Sequence, residues 1–205
     1  YTYLVMPYRP DGSLVDWLQT QGGSLLSPEE VIFLVLQAAD ALQHAHDHQI
    51  VHLDVKGSNF LVRTRQGRER LPDLLLTDFG IARFSTATST ASQNIRGTPA
   101  AMAPEQWAGQ PVAASDQYAL AVMAYQLLTG TVPFQGNMQQ MMYKHIHEMP
   151  QPPSMHNPRL SPAVDAVLLR ALAKKPEERF PSIQAFALTL QNAWQNNIPT
   201  VLNTP

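Results

Sequence analysis

The sequence predicts an α+β domain that is mainly helical and carries one small β-hairpin. Three observations predict it. Residues 115–130 are apolar nearly all round, through Tyr118, Leu120, Met123, Ala124, Leu127 and Leu128, as a helix buried on every side must be. Several other segments open on a capping residue and continue with apolar residues at helical spacing. Two short strand-like runs, 59–62 and 74–77, flank an arginine-rich connector as the arms of a hairpin would.

Taken in order, residues 1–6 alternate like a strand that stops at Pro7. Tyr8-Arg9-Pro10-Asp11-Gly12 is a turn, and Ser13 caps a short helix through Trp17 and Leu18. Ser27-Pro28-Glu29-Glu30 supplies a cap, a first-position proline and first-turn acids. Val31, Leu34, Val35, Ala38, Leu42 and Ala45 then form a helical stripe ending near His48. His44, His46 and His48 alternate within it. Neighbours two apart on a helix point about 200° from each other, so only His44 and His48 share a face. No nearby acid completes a metal site, and a local structural role is the better reading. Between the strand-like runs, four arginines over 63–70 decorate a solvated hairpin or, as an alternative, a patch for acidic partners. Residues 85–94 are small and polar without periodicity, and read as a loop. Ser115-Asp116 opens the most hydrophobic helix, which ends at Gly130. A Met- and Gln-rich helix spans about 137–147, with Met138, Met141 and Met142 read as core filler. Ser161-Pro162 caps a helix to Ala173, and Pro181-Ser182 starts the last one, to about Trp194.

At 205 residues the chain can bury one substantial core. A net charge of −2 argues against a nucleic-acid binder that neutralises phosphates. There are no cysteines, so neither disulfides nor thiolate metal sites arise. No run of 18 apolar residues and no signal pattern is found, so this stretch is expected to be soluble and cytoplasmic, without membrane contact of its own, with a membrane-anchored parent as the alternative.

The chemistry concentrates in residues 50–80. Asp54 lies in a loop two residues before Lys56 and five before Asn59, and Asp78 follows the second strand. Two acids, a lysine and an amide gathered by a hairpin suit divalent metal and phosphate chemistry, because carboxylate and amide oxygens bind Mg²⁺ and a lysine offsets phosphate charge.

His52-Leu53-Asp54-Val55-Lys56-Gly57-Ser58-Asn59 resembles the catalytic loop of protein kinases, and Asp78-Phe79-Gly80 their metal-binding motif. Lys56 resembles the serine/threonine branch, similar to its bacterial members. The resemblance covers nearly the whole chain and implies a protein-kinase-like C-lobe with the N-lobe largely absent. Residues 1–12 would be the last N-lobe strand and hinge. Residues 13–195 would form the C-lobe, with the catalytic loop at 50–59 and the activation segment at 78–105. Residues 196–205 would begin a linker.

The resemblance further implies ATP-dependent phosphoryl transfer to serine or threonine of proteins, with ATP and Mg²⁺ as cofactors. Asp54 would accept the substrate's hydroxyl proton and Lys56 would steady the transferring group. Asn59 and Asp78 would hold Mg²⁺. Thr98 would hydrogen-bond toward Asp54 and Lys56 and help select Ser/Thr substrates. Met6 as gatekeeper, the backbone of Pro7 to Arg9, and Leu61 would contact the nucleotide. His52, Phe79 and Gly80 would shape the two motifs, Asp116 would tether the loop from below, and Glu105 would pair with Arg179.

Three residues depart from the family's pattern. Leu53 stands where most members carry Arg, Gly57 replaces a usual proline, and Ala101 a usual large residue. No Gly-rich loop and no strand Lys with its helix Glu partner is found among the 205 residues. The expectation is therefore a piece of a longer kinase, inactive on its own. The alternative is a pseudokinase or interaction module that uses its helical lobe as a docking scaffold.

Overall fold

The computed structural model describes residues 7–22, 25–65, 68–79, 83–84 and 97–196. Among them are seven α-helices: α1 (Leu14–Thr20), α2 (Pro28–Asp47), α3 (Pro104–Trp107), α4 (Ala113–Thr129), α5 (Met138–His147), α6 (Pro162–Ala171) and α7 (Ile183–Gln195). Four strands accompany them: β1 (Ile50–Val51), β2 (Phe60–Arg65), β3 (Arg68–Leu76) and β4 (Arg83–Phe84). The expected mainly helical architecture with a small antiparallel hairpin is what the chain adopts.

Helix α4 is the axis of the packing. Its Tyr118, Leu120, Ala121, Ala124 and Leu128 are all fully or almost fully buried. It contacts α2, α6 and α7, while α2 also packs on α7 and on the hairpin. Leu34, Val35 and Leu42 of α2, Leu168 of α6, Phe186 and Leu190 of α7, and Phe60 and Val62 of β2 complete one continuous core. Reciprocal caps fix where the helices begin. Ser13 with Asp16 starts α1 and Ser27 with Glu30 starts α2, each side chain taking a backbone N–H of the other residue. Gly130 ends α4 at φ 77°, a left-handed stop that glycine adopts without strain.

The β2–β3 pair is antiparallel, with Phe60 opposite Leu76 and Val62 opposite Leu74. It is longer than the two four-residue runs predicted. Asn59 belongs to a 3₁₀ turn (Gly57–Asn59) and Thr77 lies past the end of β3, whereas the arginine-rich connector is largely strand. The cross-strand ion pair between Arg63 and Asp73, 2.9 Å, helps hold that extension. Pro72 interrupts β3 chemically because it has no N–H. Gln37 of α2 covers that edge: its Nε2 donates to the Pro72 carbonyl at 3.1 Å, and its Oε1 accepts from the Leu74 N–H at 3.0 Å.

Other expectations need correcting. Helix α4 starts at Ala113 and not at Ser115, whose hydroxyl instead accepts from the Val112 N–H at 3.1 Å. The predicted helix to Ala173 stops at Ala171. Met138 and Met142 of α5 are exposed and fill no core, and His145 is the one buried residue of that helix. The β1–β4 pair and the four-residue α3 had no sequence signal, being too short to show a period. Residues 1–6, 85–96 and 197–205, and with them the predicted first strand, most of the polar loop and the linker, lie outside the described residues.

Candidate active site

The loop 52–59 hangs from the first turn of α4. Asp116, fully buried, accepts from the N–H of His52 at 2.8 Å, from that of Leu53 at 2.7 Å, and from Nε2–H of His46 at 2.8 Å. One carboxylate thus fixes two consecutive amides of the loop to the central helix. Leu53 takes a left-handed φ of 69°, a conformation that costs a non-glycine residue energy and persists only when its surroundings dictate it. Its side chain is buried.

His52 ties this loop to the end of β3. The Asp54 N–H donates to His52 Nδ1 at 3.3 Å, which leaves the ring proton on Nε2 to bond the Thr77 carbonyl at 2.9 Å. The next residue, Asp78, is exposed with φ 62°. The Phe79 ring meets His52 edge-on at 5.0 Å between centroids. Gly80 and Met6 lie outside the described residues.

Asp54, Lys56 and Thr98 close a triangle. The Thr98 hydroxyl donates to Asp54 Oδ1 at 2.8 Å, and Lys56 Nζ reaches both the Thr98 hydroxyl and Asp54 Oδ2 at 2.8 Å. Asn59 Nδ2 donates to the Asp54 carbonyl at 2.8 Å and to its Oδ2 at 3.1 Å. Burial acts to raise the Asp54 carboxyl. The hydrogen bonds from Lys56 and Thr98, the Lys56 charge and the Asn59 amide outweigh it and hold the group below the ordinary carboxylate range. Asp54 is therefore a carboxylate at neutral pH.

Thr98 can sit there because the chain beside it has no side chain. At Gly97, φ 121°, an added Cβ would lie 3.0 Å from the Leu53 carbonyl. Gln106 of α3 closes the same junction, donating Nε2–H to that carbonyl at 3.0 Å and accepting the Ala103 N–H at 3.2 Å. The Gln106 contact was not predicted, since a lone glutamine beside a proline gives no local signal. Glu105 and Arg179 form a two-pronged ion pair at 2.7 and 2.8 Å. Ser115 Oγ also donates to Glu105, and Arg179, almost wholly buried, bonds the carbonyls of Ala114 and Ala173.

On the other side of the loop, the connector 7–13 is laid against β2. The Val62 N–H donates to the Gly12 carbonyl at 3.0 Å, and Ser13 bridges to Leu61. Asp11 Oδ2 accepts both the Thr64 N–H and its hydroxyl at 3.0 Å. Leu61 is thereby paired with Ser13, and Pro7 is exposed at the start of this connector. His44 and His48 have the expected local role, with rings 4.5 Å apart, whereas His46 reaches across to Asp116, 70 residues on.

Residues 1–194 match the family model of the protein kinase domain. The chain belongs to that family. Serine/threonine-protein kinase Pkn1 of Myxococcus xanthus is 41% identical over 200 residues, 96% of this chain and 28% of that protein. PknB of Mycolicibacterium smegmatis is 34% identical over 202 residues, 96% of this chain and 31% of that one. The chain thus spans about a third of the length of these relatives. Among solved structures, the kinase domain of Mycobacterium tuberculosis PknI superimposes with a TM-score of 0.68 at 29% identity, covering 91% of this chain and 63% of that one. The expected resemblance to bacterial serine/threonine kinases is thereby established as membership of the kinase family.

Proposed function

We propose that this kinase-family chain carries the substrate side of a protein serine/threonine kinase, and that the full-length protein transfers phosphate from ATP to Ser or Thr hydroxyls of proteins. The observation that carries the reading is the Asp54 carboxylate held at 2.8 Å by both Lys56 and Thr98. In this reading Asp54 receives the proton of the substrate hydroxyl as that oxygen bonds to the γ-phosphorus and the bond to ADP breaks. Lys56 offsets the negative charge of the transferring group. Thr98, its own hydroxyl between the two, shapes the place where a serine or threonine hydroxyl must come.

The donor set fits Mg²⁺. Asn59 commits its amide nitrogen to Asp54, which turns its oxygen the other way, and Asp78 offers an exposed carboxylate at the end of β3. Two hard oxygen donors suit an ion that keeps water and phosphate oxygens in its shell. Mg²⁺ would supply charge stabilisation at the phosphates. Met6, the backbone of Pro7 to Arg9, and Leu61 are assigned to the nucleotide, ATP. Hinge and C-lobe divide at residues 12 and 13, with 13–195 as the C-lobe. No helix among the described residues is long and apolar enough to cross a membrane, and the reading places the site in the cytoplasm, with ATP and protein substrates as partners.

The test is phosphate transfer by the full-length protein from labelled ATP with Mg²⁺ to a generic protein substrate. Asp54→Asn is expected to lower kcat by about 10²–10⁴, the contribution of a positioned general base. Retention of more than a tenth of the wild-type rate by a folded Asp54→Asn protein would sink the assignment.

A further inference from the structure

An open groove of about 360 Å³ meets the Asp54 loop at Gly57. Leu14, Val15 and Leu18 of α1 form one wall, Met123 and Leu127 of α4 the other, and Gly57 of the loop also lines it. No lining residue carries a charge. Val15 remains 41% exposed, so apolar surface is left uncovered next to the candidate catalytic residues. Gly57 makes this arrangement possible. An added Cβ there would lie 3.1 Å from Val15 Cγ2, so the bare backbone is what lets α1 close on the loop.

We infer that this groove receives one apolar side chain of the substrate polypeptide, near the accepting serine or threonine, and that it biases the kinase toward a Leu- or Met-sized residue there. The inference rests on the kinase reading above. Gly57 is three residues from Asp54, at most about 11 Å along the chain. A polypeptide that presents its hydroxyl to Asp54 can therefore reach the groove with a residue a few positions away. The groove is open along one side and has room for a large apolar side chain entering from there. The neutral lining supplies the discrimination: an apolar group gains by leaving water, while a charged one loses its hydration and finds no countercharge.

The test uses the full-length protein with Mg-ATP and serine peptides in which each flanking position is Leu, Met, Lys or Glu in turn. At one position Leu and Met are expected to exceed Lys and Glu about tenfold or more in kcat/KM, the usual scale of an apolar pocket. Val15→Glu and Gln126→Glu, both on exposed residues, are expected to collapse that Leu-to-Lys ratio or invert it, and Val15→Ile to preserve it. Each ratio is read within one variant, so a change in overall rate does not blur it, and melting curves confirm folding. Equal rates for Leu and Lys at every position, or an unchanged ratio in both Glu variants, overturn the inference while leaving the kinase reading intact. Absence of transfer to every peptide overturns both.

Discussion

Arg179 illustrates how a single side chain can be irreplaceable without touching substrate. Its guanidinium bonds both oxygens of Glu105 and three backbone carbonyls, and it lies over the Tyr118 ring at 4.9 Å. Arg179→Ala would leave Glu105 without its countercharge in a largely closed site. A loss of about 3–5 kcal/mol is expected in urea unfolding. Arg179→Lys should recover only part, since an ammonium lacks the planar fork that meets two oxygens at once. His145 makes a second case. Fully buried, it accepts at Nδ1 from the Tyr118 hydroxyl at 2.9 Å, and burial, with Lys174 adding to it, pushes its pKa down to about 4. The fold therefore holds it neutral. Its contribution to stability is complete above the ordinary value of 6.5, and is lost as pH falls through 4 and the folded protein at last takes the proton. The loss totals about 3 kcal/mol at 1.36 kcal/mol per pKa unit. His145→Gln, which does not titrate, should flatten this part of the pH–stability curve, and the difference between the two curves measures it. An equal slope in both would refute the assignment.

Legible in the sequence was the grouping of Asp54, Lys56 and Asn59 within six positions, which the structure joins through their side chains. Gln106, Gln37 and Asp11 were illegible for a physical reason. Each binds backbone of a segment 35 or more residues away, and a carbonyl or N–H leaves no trace in residue identity.

At the scale of elements, the hairpin shows how a strand is seated by something other than a strand. Gln37 serves the β3 edge where Pro72 breaks the donor pattern. Gln37→Ala should leave the Leu74 N–H and the Pro72 carbonyl without that partner, at about 1–3 kcal/mol. Hydrogen exchange checks it: amides of β2 and β3 should lose protection while those of α4 keep theirs. Helix periods were legible where one face is buried, as in α2 and α7. The same 3.6-residue spacing misled at α5, because it tells that Met138 and Met142 share a side and not what lies opposite. Strand ends were illegible where a charged pair such as Arg63 and Asp73, and no apolar alternation, carries the ladder.

For the whole molecule, the buried side chain of Leu53 bears on control. The loop 52–54 offers no cation at that position to a phosphate on the segment that follows Asp78. Phosphorylation there gains no charge-assisted hydrogen bond from it. The full-length protein with Thr86, Thr88, Ser89 and Thr90 all changed to Ala is expected to turn over within severalfold of the phosphatase-treated wild type. A hundredfold loss with normal folding, about 2.7 kcal/mol in barrier, would show that phosphate is required.

Four consecutive residues of α4 each reach a different part of the chain: Ser115 holds Glu105, Asp116 holds the 52–53 amides, Gln117 holds the backbone of Phe180 and Ser182, and Tyr118 holds His145. Successive helical residues are about 100° apart, so the four together sweep most of the circumference. The turn therefore works as an index wheel, whose phase decides which spoke meets which segment. Substituting one spoke releases one segment. Removing or adding a single residue just after Tyr118 would rotate the four by one step of about 100° against the buried remainder of α4 and misdirect all four at once. Length between this turn and the rest of α4 is thus more tightly constrained than identity, whereas the loop 108–112 ahead of it can change length without touching the phase.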